Sequence, residues 1–150
     1  MCIFARGRFI RSIGRLKSRS HDVKIQLTNW LTDWMEAGMH ITYANAKVEK
    51  YFLDYRKMQS VLPLDWVRAI KKYMDWFKAA ENFAVILDLR LGRPERLTGY
   101  NGIRYSFRVS AQARLIMEPQ ADQESLLACT EAEVEGVCDY HGSKENWYIP

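Results

Sequence analysis

The apolar residues of this chain change their spacing at the glycine-bearing turn 99–102, and this change most constrains the fold. Before the turn, two stretches repeat apolar residues at steps of three and four, which is typical of amphipathic helices. Their stripes are Val48, Tyr51, Phe52, Tyr55 and Met58, then Leu64, Val67, Ile70, Met74, Phe77 and, at the end, Ala80. After the turn the period is two, which indicates half-buried strands.

Residues with strong local preferences set the bounds of the first elements. His40–Tyr43 is short and rich in β-forming residues, and Asn45 after it is a residue type favoured at helix N-caps. Pro63 suits the first turn of the second helix, where its missing N–H costs nothing. We expect an α+β fold with a short first strand, two amphipathic helices on one face, and then an antiparallel β-meander.

The meander is predicted strand by strand after a loop marked by Gly92 and Pro94. Residues 103–110 alternate, a tight hairpin follows at 111–112, and residues 113–118 return with Arg114 and Ile116 on one face. In the last strand Glu131, Glu133 and Glu135 are expected to face one way. The residues expected to face the other way are Thr130, Ala132, Val134, Gly136 and Cys138.

Residues 1–38 differ in composition from the rest of the chain. They hold seven Lys/Arg and three Asp/Glu, and no acid precedes Asp22. The codons for residues 35–37 can spell a ribosome-binding sequence a few nucleotides before that of Met39. We therefore expect an extension outside the domain, from a misassigned start, and a domain over residues 39–150; an authentic basic arm and an organellar presequence are the alternatives.

The composition argues against several classes of protein. The three cysteines form no CxxC pair and the three histidines are scattered, so no zinc set is plausible and the thiols are expected to be reduced. No apolar run approaches the roughly 18 residues of a membrane span. Nucleotide-binding loops, HExxH and GxSxG are absent from the sequence. We expect a cytoplasmic protein that uses no cofactor and no metal and does not enter a membrane.

The charges are distributed unevenly along the domain. Residues 39–114 carry 14 basic and 7 acidic groups, whereas residues 115–150 carry one basic residue and eight acids. A strongly basic region is compatible with binding a polyanion, because the local field matters more than the net charge. Ordinary solvated helix faces would explain such an excess equally well.

The residues best suited to chemistry are Asp139, Tyr140 and His141, where the last strand ends, and the strand-face arginines Arg104, Arg108 and Arg114. Metal-free RNA cleavage needs a base for the 2′-hydroxyl, an acid for the leaving oxygen, and cations for the developing charge. A histidine titrates near neutral pH, a carboxylate can orient it, and a tyrosine can stack or donate a proton. Taken alone, a terminal histidine is more often a surface residue, and strand arginines are usually only solvated.

Two motifs strengthen the prediction that these residues form a catalytic site. The segment 97–118 resembles the central signature of RelE/HigB-type toxins: a leucine and a glycine, a short turn, then Tyr-Ser-x-Arg-Val and, later, Arg-Leu. The sequence Asp139-Tyr140-His141 resembles the ending of the HigB branch. The resemblance covers about residues 39–141.

The resemblance implies a toxin of a type II toxin–antitoxin system, with a RelE-like fold, that cleaves mRNA in the decoding site of the 30S ribosomal subunit. It also implies a small helix-turn-helix antitoxin, with operator DNA bound only by the toxin–antitoxin complex. By position, Asp139, Tyr140 and His141 correspond to the catalytic tail, and Arg108 and Arg114 to the phosphate-contacting arginines.

The chain departs from the family pattern at two places. Thr98 replaces a frequent lysine, and Glu95 or Arg96 stands where the HigB branch often has a histidine. We expect Arg93 and Arg96, together with Arg104, to supply RNA phosphate contacts. Two other functions stay open: a toxin of the same fold that acts on a protein target, as ParE-type gyrase poisons do, and a catalytically decayed toxin that only binds.

Overall fold

The computed structural model describes residues 38–139 and 146–150. The chain divides into two units, residues 1–37 and Gly38–Pro150, and the described residues belong to the second. The predicted extension 1–38 therefore lies outside the described residues apart from Gly38. Its origin stays a prediction.

The described residues run in the order strand, helices, sheet. The strand and helices are β1 His40–Tyr43, α1 Ala46–Leu53, α2 Tyr55–Met58, α3 Leu64–Ala79 and α4 Phe83–Asp88. The remaining strands are β2 Glu95–Leu97, β3 Arg104–Arg108, β4 Ala113–Pro119, β5 Glu131–Asp139 and β6 Asn146–Ile149, with a 3₁₀ turn Leu126–Ala128 before β5. The predicted α+β class is confirmed; α2, α4, β2 and β6 were not predicted as separate elements.

The first predicted helix is interrupted by Asp54. Asn45 caps α1 as expected, since its Oδ1 accepts from the amides of Lys47 and Val48 at 2.9 and 3.0 Å. Asp54 then ends α1 and caps α2, accepting from the amides of Arg56 and Lys57. The apolar stripe nevertheless continues across the break, with Val48, Phe52 and Met58 fully buried.

The second predicted helix is α3. Pro63 is its N-cap rather than a residue of its first turn. Val67, Ile70, Met74 and Phe77 are buried as expected, whereas Leu64 is 46% exposed because it precedes the part of the helix that packs on the sheet. Within the described residues, no helix is long and apolar enough to cross a membrane.

The sheet has the strand order β1-β5-β4-β3-β2, with β6 also paired to β5. Strands β3 to β5 form the predicted antiparallel meander, which β2 and β6 extend, and β1 pairs with β5 in parallel. One face of the sheet packs on the helices to form the main core, with side chains such as Phe107, Leu115, Met117, Val134 and Val137. On the other face, here called the open face, Leu97, Ile116 and Cys138 form a small cluster beside Tyr100 and Trp147.

A β-bulge in β5 changes which residues face the core. The register against β4 shifts between Ile116 and Met117, and Gly136 has a positive φ of 142°. Beyond the bulge Val137 points into the core and Cys138 lies in the open-face cluster. The predicted alternation, with Cys138 on the same side as Val134, is therefore wrong beyond Glu135.

Candidate active site

Three of the predicted site residues meet at one end of the sheet, here called the hairpin end. There β3 ends at Arg108, the hairpin leads into β4, and β5 ends at Asp139. Arg108 lies directly opposite Arg114, and Asp139 lies opposite Ala113. The opposite end, where β3 begins at Arg104 and β4 ends at Pro119, is called the far end.

Arg108 and Arg114 form a pair of like charges on the open face. Directly opposed residues of antiparallel strands have Cβ atoms about 4.5–5.5 Å apart, and like charges there destabilise the pairing. Arg114 is half-buried, and its Nη1 donates to the carbonyl oxygens of Ser110 at 3.1 Å and Ala113 at 3.5 Å. Arg108 is exposed, and within residues 38–139 and 146–150 no carboxylate pairs with either guanidinium. This arrangement favours a bound anion.

The hairpin between β3 and β4 holds Arg114 in place. The Ser110 Oγ accepts from the amides of Gln112 and Ala113, at 3.2 and 2.9 Å, so the turn is closed by a side chain. The carbonyl of Ser110 then remains available to the guanidinium of Arg114. A cation fixed in this way requires little reorganisation when it binds a phosphate.

Asp139 is positioned from two neighbouring elements. The Tyr148 hydroxyl of β6 donates to its Oδ2 at 3.4 Å, and the Tyr148 ring packs edge-on against Trp66 of α3, with 5.3 Å between ring centroids. Burial and the nearby Asp139 carboxylate raise the pKa of Tyr148, so its hydroxyl remains a donor at neutral pH. By register Asp139 shares the core face with Ala113, whereas Arg114 points to the open face.

Tyr140 and His141, predicted to be catalytic, lie outside the described residues. By sequence they follow Asp139 directly, and residues 140–145 link Asp139 to Asn146, its partner in β6. Within the described residues no group of His, Cys, Asp and Glu could hold a metal ion.

Arg93 belongs to a loop that is bonded to the hairpin end. The carbonyl of Gly92 accepts from the amide of Arg108. Gly92 has a φ of 65°, and a Cβ there would lie 2.9 Å from the Arg108 amide nitrogen, so the close approach requires glycine. The exposed Arg93 is therefore placed beside Arg108.

Arg96 and Arg104 are not brought to the hairpin end. Arg96 Nη1 donates to Gln123 in the loop after β4. Arg104 lies about 13 Å from Arg108, four residues along β3. Its Nε is 2.8 Å from Glu135 and 3.7 Å from Glu118. These two arginines have protein partners at the far end.

The far-end cluster consists of Arg104, Glu118, Glu135 and Tyr100. The guanidinium of Arg104 lies over the Tyr100 ring, 4.6 Å from its centroid. Burial raises the pKa of Glu135 to about 7; a hydrogen bond to Glu118 adds to this rise, and Arg104 opposes it. Thr98 is exposed at this end, at the end of β2 remote from Arg93.

Sequence reasoning missed Tyr148 and assigned no role to the last eight residues. The aromatic, β-forming run 146–149 was the available signal for β6, but four residues are too few to establish a period. Cys138 is confirmed as a small buried residue. Burial raises the pKa of its thiol to about 11, so it stays protonated at neutral pH.

No protein-family model matches the chain, and no curated protein matches it. Among solved structures, the YoeB dimer from Staphylococcus aureus is similar to this chain at 17% sequence identity. The match covers 71% of this chain and 100% of that chain, with a TM-score of 0.42. A match at this level carries no argument about the fold or the function of this chain.

Proposed function

We propose that residues 39–150 form a RelE/HigB-like toxin of a type II toxin–antitoxin system, a ribosome-dependent endoribonuclease that inhibits translation by cutting mRNA. The observation that carries the proposal is the opposed pair Arg108 and Arg114, which lies where β5 ends and the chain continues into Tyr140 and His141. The sequence resemblance supports the same residues independently of the fold.

The chemistry is a transfer within the RNA. The 2′-oxygen attacks the adjacent phosphorus as its proton leaves, and the P–O5′ bond breaks as the 5′-oxygen gains a proton. The products are a 2′,3′-cyclic phosphate and a 5′-hydroxyl. In this proposal His141 exchanges protons, Asp139 orients it, and Tyr140 stacks on a base or donates a proton.

The arginines stabilise the transition state. The phosphate gains charge as the fifth oxygen approaches, and fixed guanidinium groups can bind two of its oxygens at once. Arg114, held by the hairpin carbonyls, supplies the fixed cation, and Arg108 supplies a second cation from the neighbouring strand. Arg93 contributes a phosphate contact beside them, whereas Arg96 and Arg104 contribute from the far end only if RNA extends that far.

The partners follow from the resemblance. We propose that a small helix-turn-helix antitoxin neutralises the toxin, that the substrate is mRNA in the 30S decoding site, and that operator DNA is bound only through the toxin–antitoxin complex. An adjacent reading frame that encodes such an antitoxin would support this proposal at little experimental cost.

Inducible expression of the full chain in a bacterium tests the function. Growth should arrest with fragmented mRNA, and the variants His141→Ala and Arg108→Ala/Arg114→Ala should relieve the arrest. Arg56→Ala, which removes an exposed charge on α2, is the matched control and should remain toxic.

The same experiment separates the alternatives. Arrest with intact mRNA and damaged DNA would favour a gyrase-poison type of toxin. Harmless expression without any antitoxin would favour a decayed toxin that only binds. Unchanged arrest in His141→Ala would falsify the assignment of the catalytic tail.

A further inference from the structure

A groove lies at the β2 edge of the sheet, beside α4 and the loop that follows it. Its volume is about 510 Å³, and its lining residues are Leu87, Arg90, Arg93, Pro94, Glu95 and Tyr105. Sites for small organic ligands occupy about 300–1,000 Å³ and combine apolar walls with a few polar groups. Leu87, Pro94 and Tyr105 are such walls, and the two guanidinium groups outnumber the one carboxylate of the lining.

The loop that carries both arginines is held in a strained backbone conformation. Arg90 has a φ of 51° and Arg93 a φ of 49°, and no other non-glycine residue of the described ranges has a positive φ. Such conformations cost free energy for a residue with a Cβ, and asparagine or glycine would adopt them more easily. The loop is nevertheless ordered by hydrogen bonds, from the Arg90 amide to Leu87 and from the Arg93 amide to Arg90.

Neither guanidinium group has a side-chain partner among the residues that the structure describes. Both side chains are exposed, and no ion pair or side-chain hydrogen bond to another residue of 38–139 or 146–150 engages them. Among the described residues, no stabilising contact of these two side chains therefore offsets the cost of the strained backbone. Backbone strain that persists in an ordered loop is typical of binding and catalytic sites.

The loop that lines the groove is bonded to β3, the strand that carries Arg108. Gly92, between the two arginines, bonds through its carbonyl to the amide of Arg108. An extended RNA strand with its scissile phosphate on Arg108 and Arg114 therefore has its next nucleotide within reach of Arg93.

We propose that this groove binds the nucleotide next to the scissile phosphate in single-stranded RNA. Its base lies against Leu87, Pro94 and Tyr105, and its phosphate binds Arg90 and Arg93. The proposal rests on the proposed function for the position of the scissile phosphate. It adds Arg90, to which the sequence assigned no role, and makes the groove a determinant of sequence preference at the cleavage step.

Direct binding of an uncleavable RNA tests the groove. Full-length protein is titrated with fluorescent 2′-O-methyl RNA hexamers, which lack the 2′-hydroxyl nucleophile. Arg90→Gly/Arg93→Gly removes both guanidinium groups but suits a positive φ. We expect about tenfold weaker binding at low salt. Because one phosphate contact is lost, the slope of log K against log salt should fall by about 0.7.

A matched control and a stability measurement show whether weaker binding comes only from a lower net charge or from unfolding. Arg56→Gln/Lys57→Gln removes two exposed charges from α2 and should change the affinity less than twofold. The thermal midpoint of Arg90→Gly/Arg93→Gly should stay unchanged or rise, because glycine relieves the strain. An affinity equal to that of the control, or a fall in affinity accompanied by unfolding, would overturn the proposal.

An abasic nucleotide separates the base from the phosphate. Placed at successive positions of the hexamer, it should weaken binding about tenfold at the position in the groove, because the contact of the base with the apolar wall is lost. This penalty should shrink in Arg90→Gly/Arg93→Gly. A penalty that is the same in both proteins would show that the base binds elsewhere.

The outcomes distinguish failure of the groove from failure of the proposed function. If the full chain cleaves mRNA in cells but the groove variant binds hexamers normally, the groove proposal is wrong and the nuclease assignment stands. If the chain cleaves nothing but hexamer binding depends on Arg90 and Arg93, the nuclease assignment is wrong and the nucleotide site stands.

Discussion

Strand β3 carries one arginine near each end of the sheet, and the two have opposite surroundings. Arg104 at the far end lies between the carboxylates of Glu118 and Glu135 and over the ring of Tyr100. Arg108 at the hairpin end faces Arg114 across the strand pair. The same side chain on the same face of the same strand has carboxylate partners in one place and, among residues 38–139 and 146–150, no ion-pair partner in the other.

The difference separates the charges that are paired within the described structure from those that are not. Half-buried ion pairs fix side chains at the far end, although their net stabilisation is modest because desolvation offsets the attraction. At the hairpin end the opposed like charges destabilise the strand pairing, and a bound anion would offset this. We therefore expect substitutions at the far end to change stability and those at the hairpin end to change activity.

The largest effect is expected for Arg114→Ala. Loss of a preorganised group that stabilises transition-state charge costs about 10²–10³ in rate. Stability should change little, because relief of the like-charge contact offsets the lost hydrogen bonds to Ser110 and Ala113. Cleavage of a reporter mRNA on purified ribosomes measures the first effect, and thermal unfolding measures the second.

The matched substitution at the other end is Arg104→Met. It should retain cleavage and lose about 1–3 kcal/mol of unfolding free energy, because two half-buried carboxyl groups are left without their cation. Equal loss of cleavage in both variants would contradict the division between the two ends.

The second prediction concerns Gly136, whose bulge separates the two ends. A Cβ there would lie 1.9 Å from the carbonyl oxygen of Ile149, and its φ of 142° is unfavourable for alanine. Gly136→Ala should therefore cost at least about 3 kcal/mol of unfolding free energy, because β6 must move and the backbone is strained. Urea unfolding gives the free energy, and Gly99→Ala, where no atom lies within 4 Å of the added Cβ, is the control for positive φ alone.

The bulge also marks the limit of what the sequence could predict. The positions of β1 and of the stripes of α1 and α3 follow from local propensities and periods, which neighbouring residues determine. The register of the β3–β4 hairpin was not predicted: a two-residue turn at 111–112 would place Arg114 opposite Val109, whereas the structure places it opposite Arg108. Because of the bulge, Val137 faces the core and Cys138 faces the open side, which is the reverse of the predicted alternation. At the bulge Gly136 approaches Ile149 of β6, and a contact between distant strands leaves no local sequence pattern. The break between α1 and α2 could be predicted only from the capping preference of Asp54, because the apolar stripe continues across it.

The candidate site divides in the same way. Arg108 and Arg114 could be placed on neighbouring strands from the alternation and the family resemblance, although their direct opposition was not predicted. Arg96 and Arg104 were grouped with them by charge and proximity in sequence, whereas their partners Gln123, Glu118 and Glu135 come from distant parts of the chain. Tyr148 was missed because its link to Asp139 depends on β6.

The third prediction uses the raised pKa of Glu135. Between its ordinary value of 4.5 and about 7, the folded protein keeps a proton that the unfolded chain has released. The free energy of unfolding should therefore fall as pH rises through this range, by about 1–2 kcal/mol after allowing for solvent at the carboxyl. Glu118, Glu133 and Arg104 face this group, and their charges contribute to the shift.

Glu135→Gln tests this assignment. The amide resembles the protonated acid, so the variant should have a flatter pH dependence and be more stable than the parent above pH 7. Urea unfolding at a series of pH values measures it, with Glu131→Gln on the exposed start of β5 as control. An unchanged slope in Glu135→Gln would show that another group causes the dependence.

The smallest effect is expected for Tyr148→Phe, which removes one hydroxyl at the hairpin end and keeps the ring against Trp66. The bond to Asp139 is long, at 3.4 Å, and Tyr148 is 36% exposed, so its loss should cost no more than about 0.5 kcal/mol of stability. If this hydroxyl orients Asp139 for catalysis, cleavage should slow by about 2–3-fold, the equivalent of that free energy. Tyr43→Phe, on the remote strand β1, is the control, and equal cleavage rates for the two variants would mean that β6 does not position Asp139.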